Sequence, residues 1–229
     1  MPFVQIITGG DCDILLSYEN TGYRDRLLIN SNIYGFDQKF REEIVISNNM
    51  IPFNQIEQRM KMYYCFYLFE ALSQFNSNKN GGKRIDLEAQ GKTHNQFTMG
   101  ESLNFCLRPG IDAYCVLLDI NVNGIYKLFP LERGNEISLI RGVVQCSQDV
   151  AVSPPIGNGM IVAIGTVNND VMNDFNRRYG LNNTIAEWSF ADISADNPML
   201  LCEELFARLI NEFTENWCMS TKFITIVDK

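Results

Sequence analysis

Apolar and polar positions change their period twice along this chain, and the changes mark its parts. Residues 1–80 open with short runs of strand character: VQII (4–7), DILLSYE (13–19) and RLLINSNI (26–33). From Phe53 the spacing becomes helical, with Phe53, Ile56, Met60, Tyr63, Tyr64, Tyr67, Leu68, Ala71, Leu72 and Phe75 recurring at gaps of three, four and one. Such a stripe covers one wide face of a helix, so an amphipathic helix is predicted over 53–75. Pro52 suits its first turn, and Asn54 with Glu57 has the spacing of a capping box. NSNKNGG (76–82) is polar, carries two glycines and supports no period. It reads as a loop or linker.

Beyond it the period falls to two. KRIDLEA alternates Ile85, Leu87 and Ala89 against Arg84, Asp86 and Glu88, and SLNFCLR alternates Leu103, Phe105 and Leu107. AYCVLLDI (113–120) is almost continuously apolar, as a central strand is. Asn123-Gly124 then predicts a two-residue hairpin turn into IYKLF (125–129). EISLI, GVVQC, DVAVS and GMIVAIGTV (159–167) follow at short spacing. DVMNDFNRRYG reads as an irregular helix. NPMLLCEELFARLINEFTENW reads as a better one, with Asn197 as cap and Pro198 in its first turn, and KFITIV (222–227) closes as a strand. The pattern predicts an α+β chain. A small strand-and-helix domain over 1–80 precedes an antiparallel β-sandwich with a C-terminal helix over 83–229.

Composition narrows the class. The 229 residues are 46% hydrophobic and 20% charged, and the mean hydropathy is −0.10, which is globular and able to bury a core. No run approaches the roughly 18 apolar residues of a membrane span. The net charge of −8 and a pI near 4.7 argue against nucleic acid or an anionic membrane as the main partner. MPFVQIITGGDCD lacks the basic start of a secretory signal. The seven cysteines, Cys12, Cys65, Cys106, Cys115, Cys146, Cys202 and Cys218, are odd in number, scattered and often set in apolar runs. They read as reduced thiols in a cytoplasm.

Candidate chemistry is sparse. His94 is the only histidine, so any histidine-dependent mechanism passes through it. It sits in QGKTHNQFT, a polar stretch expected to be an exposed loop. Cys12, the most exposed-looking thiol, is flanked by Asp11 and Asp13, which disfavour a thiolate. DINVNG, Asp119 to Gly124, copies the first half of a calcium loop, but the twelfth position is Pro130 where a bidentate Glu belongs. Phosphate-loop, zinc and serine-hydrolase spacings are absent, and the pairs Glu42-Glu43 and Glu203-Glu204 read as solvated helical or polar surface. No catalytic residue, metal or cofactor is expected.

FTMGESLNF (97–105), AYCVLLDINVNGIYKLFP (113–130) and PPIGNGMIVAIGTV (154–167) occur in that order. Together they resemble a bacterial domain of unknown function usually found C-terminal to caspase-like cysteine peptidase domains. Gly100, Glu101, Tyr114, Leu118, Gly124, Leu128, Phe129, Pro130, Pro155 and Gly157 fall at that family's motif positions. WCMSTKFITI (217–226) is similar to its closing run. The caspase-like peptidase domain itself, with its catalytic His ahead of its Cys, is not represented.

The resemblance implies an accessory region: a non-catalytic recognition or regulatory module that binds another protein, with a caspase-like peptidase as candidate partner. The expected contact is the loop LERGNE (131–136), with Arg133 as anchor and Glu132 and Asn135 beside it. An enzyme using His94, and a calcium- or small-ligand-binding sandwich, are the alternatives.

Overall fold

The structure, a computed structural model, describes residues 14–20, 25–32, 39–46, 53–79, 84–90, 95–128, 137–147, 149–153, 155–178, 207 and 217–228. The chain divides into two compact units, Met1–Tyr63 and Tyr64–Lys229, a division that falls inside the long helix and ahead of 76–82.

In the first unit, β1 (Ile14–Asn20), β2 (Asp25–Asn32) and β3 (Lys39–Ile46) form an antiparallel meander in chain order. The strand expected over 4–7 lies outside the described residues. β3 was not legible as a strand, because its Arg41-Glu42-Glu43 run looks like solvated surface. Its period is nonetheless two at the end that packs: Glu43 is exposed and Ile44 buried. The Glu42-Glu43 pair is therefore strand, not helix.

Helix α1 runs from Phe53 to Lys79, four residues past the predicted end. Its buried positions in the second unit, Cys65, Phe66, Leu68, Phe69 and Leu72, recur at helical spacing. The tyrosine stripe splits, with Tyr63 buried and Tyr67 exposed.

The second unit holds two sheets. The larger orders β5 (Gln96–Thr98), β13 (Trp217–Val227), β12 (Gly157–Thr166), β7 (Ala113–Asn121) and β8 (Gly124–Leu128), with β9 (Ile137–Leu139) also pairing β7. The smaller is built on β6 (Ser102–Pro109), flanked by β4 (Ile85–Gln90) on one edge and by β10 (Gln145–Cys146) and β11 (Val150–Ala151) on the other. All pairs are antiparallel except β13 with β5, which is parallel.

Register assigns the faces. Gly165 is opposite Cys115 on one side and Cys218 on the other, so these three share a face with Leu117, Ile161, Ala163 and Ile224. That face packs on Ile85, Leu87, Leu103, Phe105 and Leu107 of the smaller sheet as one core cluster. The opposite face receives helices. Phe66 of α1 meets Phe223 edge-on at 5.7 Å between centroids, and α2 (Asn169–Arg178) contacts β12 and β7. Hence β12 is buried along nearly its whole length. The α+β sandwich is as expected, with a helical layer added on one side. Of the expected C-terminal helix from Pro198, only Ala207 among its interior residues is described, and it is helical.

One motif stretch of the resemblance proves to be a turn. Thr98–Glu101 is closed by Glu101 N donating to Thr98 O at 2.9 Å, while the Glu101 carboxylate accepts from Thr98 N at 2.9 Å. Gly100, with φ +78°, supplies the left-handed residue this turn needs. Gly157, with φ +123°, opens β12. Asn168 starts α2, its Oδ1 accepting from Asp170 N at 2.9 Å and Val171 N at 3.3 Å, as an N-cap does.

Candidate functional site

His94 and the loop residues Glu132, Arg133 and Asn135 lie outside the described residues, as does Cys12. The chemistry that can be placed falls at three points: a hairpin, the cysteines and a groove.

The hairpin differs from its prediction. Asn121 pairs with Gly124, so the two loop residues are Val122 and Asn123, one position earlier than expected. Asn123 is absent from the positive-φ residues, whereas Gly124 has φ +138°. Glycine is favoured here as the residue that follows the turn, not as one of its centre. A Cβ on Gly124 would meet nothing closer than Tyr126 Cε2 at 4.0 Å, so substitution costs backbone energy alone. Gly124→Ala is expected to lower stability by about 1–3 kcal/mol in urea denaturation.

Asn121 Nδ2 donates to Asp119 Oδ2 at 2.8 Å, and Asn123 N donates to Asn121 Oδ1 at 2.9 Å. These bonds close the DINVNG turn on itself, and no group of three or more potential metal-binding side chains occurs among the described residues. Burial pushes the Asp119 carboxyl up to about 6 from 3.8, against the pull of the Asn121 hydrogen bond. A carboxyl with a raised folded pKa binds its proton more tightly in the native state. Its contribution to stability is therefore full below about pH 4 and lost as pH rises through about 6. Asp119→Asn should accordingly exceed the parent by about 1–2 kcal/mol at neutral pH, the solvent-exposed part of the side chain reducing the full effect. Below pH 4 the difference should vanish, as melting curves across that range would register.

The expectation of reduced thiols does not hold. Cys106 and Cys146 are opposite each other on β6 and β10 and form a disulfide across a Cα separation of 4.0 Å. The next pair carries the ladder bond, Ser147 N to Phe105 O at 2.8 Å. The cysteines thus occupy a non-hydrogen-bonded site, where cross-strand side chains come closest. Cys65 is disulfide-bonded too. Spacing along the chain could not reveal a partner 40 residues away, and the argument for a reducing compartment loses its premise. Cys115 and Cys218 are free and buried. Burial raises both thiols, Cys218 to about 12, so neither is a thiolate nucleophile at neutral pH.

The groove lies in the second unit, between α1 and the start of β13. Glu70, Ser73, Gln74 and Ser77 lie three, four and seven residues apart and so form one polar stripe of α1. With Arg84 and Met219, Ser220 and Thr221 they line a space of about 320 Å³. Asn76, fully buried, ties α1 to the start of β13. Its Nδ2 donates to Trp217 O at 3.2 Å and its Oδ1 accepts from Met219 N at 3.1 Å. One side-chain amide thereby stands in for a residue of a neighbouring strand. Thr221 Oγ1 donates to the Glu70 carboxylate, and Arg84 Nε lies 2.9 Å from Asp86 Oδ1. The sequence pattern pointed to none of these as site residues, since 76–82 looked like a linker and 53–75 was read only for its apolar stripe. The i, i+3, i+4, i+7 recurrence of polar residues beside the apolar stripe was the available signal.

No family model matches the chain, and no curated protein does. Among the described residues no helix is long and apolar enough to cross a membrane.

Proposed function

We propose that this chain is a non-catalytic module that recognises another protein. The observation that carries this reading is the groove along α1 and β13, a space of about 320 Å³ lined mainly by hydroxyl, amide and charged residues. Such a lining supplies hydrogen bonds but no evident reacting pair. Its one carboxylate, Glu70, already accepts from Thr221, and the described free thiols are buried away from solvent. Hydrogen-bond donors and acceptors without a nucleophile and base suit binding better than turnover. The ordered motifs from Phe97 to Val167 add a caspase-like peptidase system as the candidate partner, and the 131–136 loop with Arg133 as a second contact.

The test pairs two measurements on the whole chain. Titration with a caspase-like peptidase domain should show saturable binding that competes with groove substitutions such as Ser73→Arg. A panel of ester, peptide and phosphate substrates should show no turnover. Turnover abolished by His94→Ala would move the chain to the enzyme reading.

A further inference from the structure

We infer that the Cys106–Cys146 bridge is a site of thiol–disulfide exchange, at which a small thiol attaches covalently to Cys146 while the fold stays intact. This site shares no residue with the groove, so it stands or falls apart from the recognition reading.

Register puts the bridge on the outer face of the smaller sheet. Leu103, Phe105 and Leu107 of β6 belong to the core, so by the pleat Asn104, Cys106 and Arg108 face outward. Directly opposed residues share a face. Glu88 of β4 stands opposite Cys106 on one side, and Cys146 of β10 on the other. The row therefore reads Glu88, Cys106, Cys146, with exposed residues at both ends and a middle one only 3% exposed. Arg108, in the next outward row, stands opposite Asp86.

A thiolate attacks a disulfide in line with the bond it breaks, approaching from behind the sulfur it takes. The line beyond Cys146 runs off the sheet, since β10 pairs only β6 among the described residues. The line beyond Cys106 runs toward β4 and the Glu88 carboxylate, which hinders and repels a thiolate. Exchange is therefore directed. The external thiolate forms a new S–S bond to Cys146 Sγ, the Cys106–Cys146 bond breaks, and its electron pair leaves on Cys106 Sγ. That sulfur takes a proton from water and becomes a thiol, with Asn104 Oδ1, 3.9 Å away, placed to accept its S–H. A second small thiolate attacking the outer sulfur of the adduct frees Cys146. The chain is then reduced by two electrons, and the two small thiols are oxidised to their disulfide. The strand pair outlasts the bridge. Ser147 N donates to Phe105 O at 2.8 Å, Phe105 N donates to Ser147 Oγ at 2.9 Å, and Asn104 Nδ2 donates to Asp149 Oδ1 at 3.0 Å.

The probe is β-mercaptoethanol, an uncharged thiol, added at mildly alkaline pH to the native, disulfide-bonded chain. The reaction is quenched in acid and mapped by peptide mass spectrometry. The first adduct should sit on Cys146, with Cys106 recovered as a free thiol, in about tenfold or greater excess over the reverse. Glu88→Gln removes the charge beside the departing sulfur and should speed the exchange about threefold or more. Asp86→Asn, in the next row, should change the rate less than about twofold. Far-ultraviolet circular dichroism of the adduct should match that of the parent, because the remaining bonds between β6 and β10 persist. An adduct formed first on Cys106, equal adducts on both sulfurs, a Glu88→Gln rate equal to the parent's, loss of dichroism on adduct formation, or exchange only in denaturant would each overturn the assignment.

Discussion

Gly165→Ala is expected to destabilise the second unit by about 1–3 kcal/mol, the range of an overpacked core. The glycine lies on the core face of β12, directly between Cys115 and Cys218. A Cβ there would stand 2.8 Å from Cys218 Sγ, 3.2 Å from Ile85 Cδ1 and 3.4 Å from Ala113 Cβ. The thiol cannot simply swing aside, because Cys218 is itself fully buried in the same cluster. The backbone is not at issue, since Gly165 is absent from the positive-φ residues. That makes the cost steric and therefore removable. Cys218→Ala alone should cost about 1 kcal/mol for the lost packing. The double variant Gly165→Ala with Cys218→Ala should be more stable than the sum of the single effects, and a coupling of about 1 kcal/mol or more in a double-mutant cycle is the signature. Additive effects would mean the clash lies elsewhere.

Asn76→Ala should cost about 2–4 kcal/mol, the larger of the two losses. Asn76 has no exposed surface, and both its amide groups are bonded to β13, to Trp217 O and from Met219 N. Alanine would take one bond from each of these two buried residues, and a bond lost in a buried setting costs more than the mean value of a hydrogen bond. Asn76→Asp is informative beside it. A carboxylate can still accept from Met219 N but cannot donate to Trp217 O, so it should recover only part of the loss and recover more at acid pH, where a protonated carboxyl donates. Chemical denaturation of the three proteins at pH 4 and pH 7 measures both effects.

Asn76 also shows where reading the sequence reaches its limit. The long helix, the sandwich strands and the near-continuous burial around AYCVLLDI and GMIVAIGTV were legible, because burial imposes periods that a single chain displays. The features that decide the candidate site depend on pairs far apart in sequence. Asn76 looked like the first residue of a polar linker, yet its partners lie 141 and 143 residues away. Cys106 and Cys146 looked like isolated thiols until β10 lay beside β6. The hairpin was found but set one residue late, since Asn123-Gly124 has the composition of a positive-φ turn while the ladder closes between Asn121 and Gly124. Glycine at that last position satisfies either geometry, and composition alone does not separate them. The loop residues Glu132, Arg133 and Asn135 were chosen because nothing demanded their burial. The groove stands instead on specific backbone groups that no strand pairs among the described residues.

Amide hydrogen exchange along β13 tests that central claim most directly. Ser220 and Lys222 oppose Ala163 and Ile161 of β12, and their N–H groups point inward to that ladder. Thr221 points the other way, into the groove. The account predicts strong protection at Ser220 and Lys222 and exchange at Thr221 faster by at least two orders of magnitude, as an amide without a ladder partner within an otherwise stable strand exchanges. Protection at Thr221 equal to that of its two neighbours would show the edge already occupied and would contradict the account.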